Sequence, residues 1–255
     1  ACGNGDDDAG GGTDDDGSTA DGAAGGSDLP FGDSITIGTK IDQPGTGILI
    51  EGEYRGMDVD VAREVASRLG YEEGDISWQE SPTPQREDML VNGTVDMIAA
   101  TYSITPERSE RVQFAGPYFI AGQDLLVRAD DNSITGPDKL AGKKLCSVQG
   151  STSAQKIKDQ YPGVQLQEYN TYSKCAEELV NGTVDALTTD NTILAGYASQ
   201  QQFAGKLKVV GQTFTTENYG VGIEKGNTDM CTKVTAALEK MISSGEWQKA
   251  VDQNL

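Results

Sequence analysis

The chain contains no histidine. That removes Ser-His-Asp and Cys-His nucleophile arrangements, histidine-ligated zinc and imidazole acid–base catalysis. Carboxylate- or lysine-based chemistry survives the absence. Basic residues are scarce: 20 Lys and Arg face 40 Asp and Glu, giving a net charge of −20 over 255 residues. With no basic stripe to release counterions from phosphates, nucleic acid is excluded as a partner. No apolar run is long enough to span a bilayer, and no apolar leader is visible. The four cysteines, Cys2, Cys146, Cys175 and Cys231, form no C-x-x-C pair.

Aromatics make up 6% and hydrophobic residues 36% of the chain, with a mean hydropathy of −0.46. Much of that deficit lies in residues 1–28, which have no aromatic or branched aliphatic residue and no base. Asp6, Asp7, Asp8, Asp14, Asp15, Asp16, Asp21 and Asp28 sit there. Such a segment buries too little apolar surface to offset its ordering entropy, so residues 1–32 read as a disordered, self-repelling tether. Its carboxylates are not fixed in space, which argues against a metal site.

Cys2, preceded by a small residue and followed by this polar stretch, resembles the lipidated N-terminal cysteine of bacterial lipoproteins. A tether of about 26 Gly-rich residues would reach on the order of 25–30 Å. Export permits disulfides. Cys146 and Cys175 lie in one continuous stretch and are expected to pair, worth roughly 3 kcal/mol in the chain-entropy model. Cys231 is then expected to be a buried free thiol.

One heptapeptide recurs letter for letter: Leu90-Val91-Asn92-Gly93-Thr94-Val95-Asp96 and Leu179-Val180-Asn181-Gly182-Thr183-Val184-Asp185. Each copy follows a helical pattern, places Asn-Gly where a helix ends, and leads into a strand, Val95–Ala100 or Val184–Thr188. The repeat predicts two lobes on one α/β plan, each offering polar residues beyond a strand's C-terminal end. Further strands are expected at 34–39, 125–128 and 144–148. Helices are expected at 57–68, to 91, at 154–160, 192–202 and 228–243. This βα alternation implies two mainly parallel sheets covered on both faces.

The turn Gln149-Gly150-Ser151-Thr152-Ser153 joins a strand to a helix. Its N–H groups suit a carboxylate, and its Ser or Thr suits an N-cap; the turn alone does not choose. Ala100-Thr101-Tyr102-Ser103-Ile104-Thr105-Pro106-Glu107-Arg108 is more specific. It resembles the I/S-T-x-T-x-E-R segment of the polar amino-acid-binding proteins of ABC importers. Gly56-Met57-Asp58-Val59-Asp60, Arg111 to Tyr118, Leu140 to Lys144 and Tyr219-Gly220-Val221 resemble further motifs of that family in the same order, over residues 33 to 255.

The resemblance implies a two-lobed, type II periplasmic-binding-protein-like fold with hinge crossings at 118–122 and 215–220. Lobe one would comprise 33–117 with 221–255, and lobe two 123–214. It implies that Arg108 grips a ligand α-carboxylate, aided by Thr101 and Ser103. From lobe two, Gln149, Ser151 and Thr152 would complete the clamp, and Asp190, beside Thr189, would accept from the ligand ammonium. Lys40 and Arg86, two cations at positions that meet the distal side chain in relatives, would suit a second carboxylate. The loop from Thr39 to Gly45 also looks like that of glutamate-binding members from Gram-positive bacteria.

The expected protein is therefore a monomeric, lipid-anchored capture component at the extracellular face. It would bind glutamate first and aspartate second, use no cofactor or metal, and hand its ligand to an ABC permease after lobe closure. Three alternatives stay open: glutamine or asparagine as ligand, a dehydratase-like enzyme on the same scaffold with Asp190 as its acid, and a sensor ectodomain.

Overall fold

A computed structural model describes Cys2 and residues 29–255. The expected tether falls mostly on residues 3–28, outside the described residues. Its last part is docked: Leu29 and Phe31 pack on the core, and the Phe31 N–H donates to the Tyr71 hydroxyl at 2.6 Å.

The chain opens with β1 (Ile35–Thr39), then a small antiparallel sheet of β2 (Asp42–Gln43), β3 (Gly47–Ile50) and β4 (Glu53–Arg55). Next come α1 (Met57–Arg68), β5 (Ile76–Glu80), α2 (Arg86–Val91) and β6 (Met97–Ile98). α3 (Pro106–Arg111) and β7 (Val112–Ala121) lead into β8 (Gln123–Arg128). The second half continues with β9 (Lys144–Val148), α4 (Thr152–Gln160), β10 (Gln165–Tyr169), α5 (Tyr172–Val180), β11 (Ala186–Asp190), α6 (Asn191–Ser199) and β12 (Leu207–Val209). β13 (Glu217–Glu224) returns to the first half, and α7 (Thr228–Ser244) and α8 (Glu246–Asn254) close the chain.

Two five-stranded sheets result, ordered β5-β1-β6-β13-β7 and β10-β9-β11-β8-β12. Three adjacent strands of each sheet, β5-β1-β6 and β10-β9-β11, are parallel as expected. The remaining pairings are antiparallel, because β7–β8 and β13 carry the chain between halves and must run back along their neighbours. Each sheet is buried on both faces. In the first, Ile35, Ile37, Val61, Val65 and Leu238 fill one side, and Leu90, Ile98, Tyr102 and Phe114 the other. Completely burying a side chain such as Val61 or Val65 contributes about 1.5–3 kcal/mol.

The repeated heptapeptide performs the same task twice. Gly93 and Gly182 take left-handed φ values of 68° and 79° after α2 and α5, a conformation glycine adopts without Cβ strain. The following aspartates then pin a neighbouring strand: Asp96 exchanges hydrogen bonds with the Thr36 backbone (2.7 and 2.8 Å), and Asp185 with that of Lys144 (2.9 and 2.7 Å).

Cys146 and Cys175 are bonded, joining β9 to α5. Cys231 is not free: it lies in the first turn of α7 and is bonded to Cys2. A pairing across 229 residues leaves no local trace in sequence. It also occupies the sulfur that the lipoprotein resemblance assigns to a thioether.

Candidate functional site

A small, nearly filled cavity of about 20 Å³ lies where the C-terminal ends of strands from the two sheets face each other. The first half lines it with Arg86, Thr101, Ser103 and Arg108, and the second with Ser151, Thr152, Thr189 and Asp190. These are eight of the ten residues proposed from sequence. Gln149 instead lines a wider groove beside the cavity. Lys40 does not line the cavity wall. Its side chain is 1% exposed and lies 3.8 Å from Asp42 Oδ1. The two residues flank the bend at Ile41 that joins β1 to β2. Burial lowers the Lys40 pKa, with Asp42 opposing the shift.

Arg108 belongs to α3, which Thr105 caps by accepting from the Arg108 backbone N–H at 3.2 Å, with Pro106 at the first helical position. Its guanidinium donates to the carbonyls of Ser103 (2.8 Å) and, across the gap between halves, Gly150 (3.3 Å). Glu87 lies 3.5 Å from its Nε. Arg86 is more deeply enclosed. It donates to the carbonyls of Ala100 (2.8 Å) and Thr83 (3.4 Å) and stacks over the Tyr102 ring at 4.4 Å. No ion pair reaches it among the described residues. Burial first, and Arg108 second, lower its pKa to about 10, so it stays charged at neutral pH.

Thr101 lies just past β6 with φ at 45°, a strained conformation for a β-branched residue. Two contacts hold it: its N–H donates to Asp58 Oδ2 at 2.7 Å, and Gln43 donates to its hydroxyl at 3.0 Å. The turn it forces ends β6 at Ile98, short of the expected Ala100. Asp58 also accepts from Tyr118 at 2.6 Å. Burial raises its pKa to about 6 against those donors and Arg86.

Asp190 ends β11. Its Oδ2 accepts from Tyr219 at 2.6 Å, while its buried Oδ1 has no protein partner. Burial, then the charge of Glu217, raise its pKa to about 7, with Tyr219, Arg108 and Arg86 opposing. Ser151 does both things its turn allowed, capping α4 by accepting from Ala154 N–H at 3.0 Å and lining the cavity. Thr152 donates to Glu217 at 3.1 Å.

The two halves meet around this cavity. Asp42 Oδ2 accepts from the Ser173 N–H and hydroxyl, both at 3.2 Å, and Tyr197 donates to the Asp42 carbonyl. Gly196 lies so close to Pro44 that a Cβ there would sit 2.0 Å from the Pro44 carbonyl oxygen.

The cavity also takes Gln43, Thr83, Ser153, Tyr172 and Ile193, which sequence reasoning missed. A signal for two of them existed. Counting back seven residues from Leu90 and Leu179 gives Thr83 and Tyr172, in register within the repeat. Counting forward in the same register pairs Thr101 with Asp190. The arrangement offers two fixed guanidinium groups, one acid with a free oxygen, and a ring of hydroxyls. It is chemistry for holding a small zwitterion of net negative charge.

The glutamate-binding protein GluB of Corynebacterium efficiens is 51% identical over 233 residues, 87% of this chain and 79% of that protein. The glutamine-binding protein GlnH of Bacillus subtilis is 35% identical over 219 residues, 85% of this chain and 79% of that protein. An ancestral arginine-binding protein solved with glutamine bound superposes with a TM-score of 0.81 at 34% identity, covering 88% of this chain and 98% of that one. Residues 35–255 match the bacterial extracellular solute-binding proteins, family 3, and the chain belongs to that family.

Proposed function

We propose that this protein captures an acidic amino acid, glutamate before aspartate, for an ABC importer. The observation that carries the choice of ligand is Arg86. A fully buried guanidinium with no ion pair among the described residues is costly unless its ligand supplies the anion. Arg108 would take the α-carboxylate in a charge-assisted pair. The free Oδ1 of Asp190 would accept from the ammonium. Arg86 would take the second carboxylate, now without help from Lys40. The glutamate-binding relatives, at about half identity, support this reading over the more distant glutamine-binding ones.

The relatives are binding proteins, and the chain is a solute-binding protein rather than an enzyme. The proposed mechanism is closure of two lobes, 33–117 with 221–255 and 123–214, about crossings at 118–122 and 215–220. Contacts made only in the closed state, such as Ser173 to Asp42, shift the equilibrium once ligand bridges the gap. A monomer presented at the cell surface fits this role. No helix among the described residues is long and apolar enough to cross a membrane. Anchoring through a lipid on Cys2 and the Cys2–Cys231 bond exclude each other on any one molecule, and intact mass of protein from membranes separates the two forms.

Titration calorimetry with glutamate, aspartate, glutamine and asparagine tests the reading. The expected order of affinity is glutamate, aspartate, then the amides. Tighter binding of glutamine than of glutamate overturns it in favour of the second reading, which the glutamine-binding relatives support.

A further inference from the structure

With Lys40 committed to Asp42, Arg86 needs another partner around a second carboxylate, and the second half supplies one. Tyr172 opens α5, is 4% exposed, and lines the cavity. It shares that cavity wall with Ser151 and Thr189 of its own half and with Arg86 of the other. Burial first, then Asp190, raise its pKa to about 12, so it carries its proton at neutral pH.

We propose that Tyr172 is a specificity-determining residue whose hydroxyl donates to the ligand's distal carboxylate opposite Arg86, brought there when its neighbour Ser173 closes on Asp42. This rests on the acidic-ligand reading above. The delivery follows from chain geometry. Thr171 caps α5 by accepting from Lys174 N–H at 3.3 Å, which fixes the first turn. Ser173, next in that turn, reaches Asp42 through both its N–H and its hydroxyl. Asp42 adjoins Gln43, itself on the cavity wall. Docking Ser173 therefore fixes the turn that carries Tyr172 onto the wall of the cavity that Arg86 also lines. The guanidinium can only donate, and the phenol's bond to a carboxylate is charge-assisted where its bond to an amide is neutral, so together they favour a carboxylate over an amide.

Tyr172→Phe removes only the hydroxyl. Calorimetry with glutamate and glutamine on the full-length protein should show glutamate affinity reduced by about tenfold, the scale of one hydrogen bond to a charged group. Glutamine affinity should fall less, so the preference narrows, and unfolding of the ligand-free variant should match wild type. Unchanged glutamate affinity, or equal losses for both ligands, overturns the inference while leaving the acidic-ligand reading intact. A wild-type protein that prefers glutamine removes both. Ser173→Ala provides an independent check: it should weaken both ligands by a common factor, and a change in their ratio instead would reassign the reading role away from Tyr172.

Discussion

The two halves share a strand order and a heptapeptide, yet equivalent positions carry opposite chemistry. In the first half, the register of the repeat places Thr83, Arg86 and Thr101 on the cavity. In the second the same register places Tyr172 and Asp190 on the cavity and Cys175 in the core beside it. Where the first half carries its enclosed cation, the second carries a cysteine bonded to Cys146. Where the first half follows its strand with a strained threonine, the second ends its strand in an acid. The scaffold fixes where a side chain emerges and leaves its charge free to diverge, so one half presents guanidinium groups to the cavity and the other a carboxylate.

The sharpest way to break this division of labour is Arg108→Ala. It should abolish measurable binding in calorimetry while unfolding as wild type does, since the guanidinium contacts carbonyls and Glu87 at the edge of the site rather than the core. Wild-type affinity would refute its role.

Gly196→Ala tests whether the halves must meet. A methyl 2.0 Å from the Pro44 carbonyl oxygen forces them apart. Overpacking costs about 1–3 kcal/mol, which translates to roughly ten- to a hundredfold weaker binding of every ligand with unaltered preference. Small-angle scattering should report a larger radius of gyration in saturating glutamate than for wild type.

The acid of the second half predicts a pH profile. In free protein Asp190 has a pKa near 7, raised by burial and by Glu217. A bound ammonium lowers it, so binding releases a proton below that pH and affinity falls by up to about tenfold per unit as the solution is acidified. Calorimetry in buffers of different ionisation enthalpy counts the proton, and Asp190→Asn should flatten the slope. Stability of the ligand-free protein carries the opposite sign. A carboxyl whose folded pKa exceeds its unfolded value contributes stability at low pH that is lost as pH rises toward 7. Asp190→Asn should therefore raise the melting temperature most above neutrality.

The smallest effect on binding is expected from replacing Cys146 and Cys175 with serine. Losing the link between β9 and α5 should cost roughly 3 kcal/mol of stability, read by denaturant titration, with affinity nearly unchanged.

Much of this was legible in sequence where the signal is periodic. The strong helical pattern gave α1 at 57–68, and the apolar run gave β9 at 144–148, both as observed. The hairpin sheet at 42–55 escaped because strands of two to four residues carry no alternation to read. Lys40 was misdirected because a cation after a strand was read against relatives and not against Asp42, two residues on. Tyr172 and Thr83 lie seven residues before the identical letters of the repeat, where only the shared register marks them. The Cys2 partner lay beyond any local argument.

The two crossings between halves are not independent strings. Tyr219 pairs with Phe119 and Glu217 with Ala121, so the passages are hydrogen-bonded to each other as a single ribbon. A pleated ribbon flexes across its face and resists sliding along its length. Under the proposed closure, a swing of the halves would turn about one axis, like a page on its binding, and would return Ser173 to Asp42 in the same alignment each time.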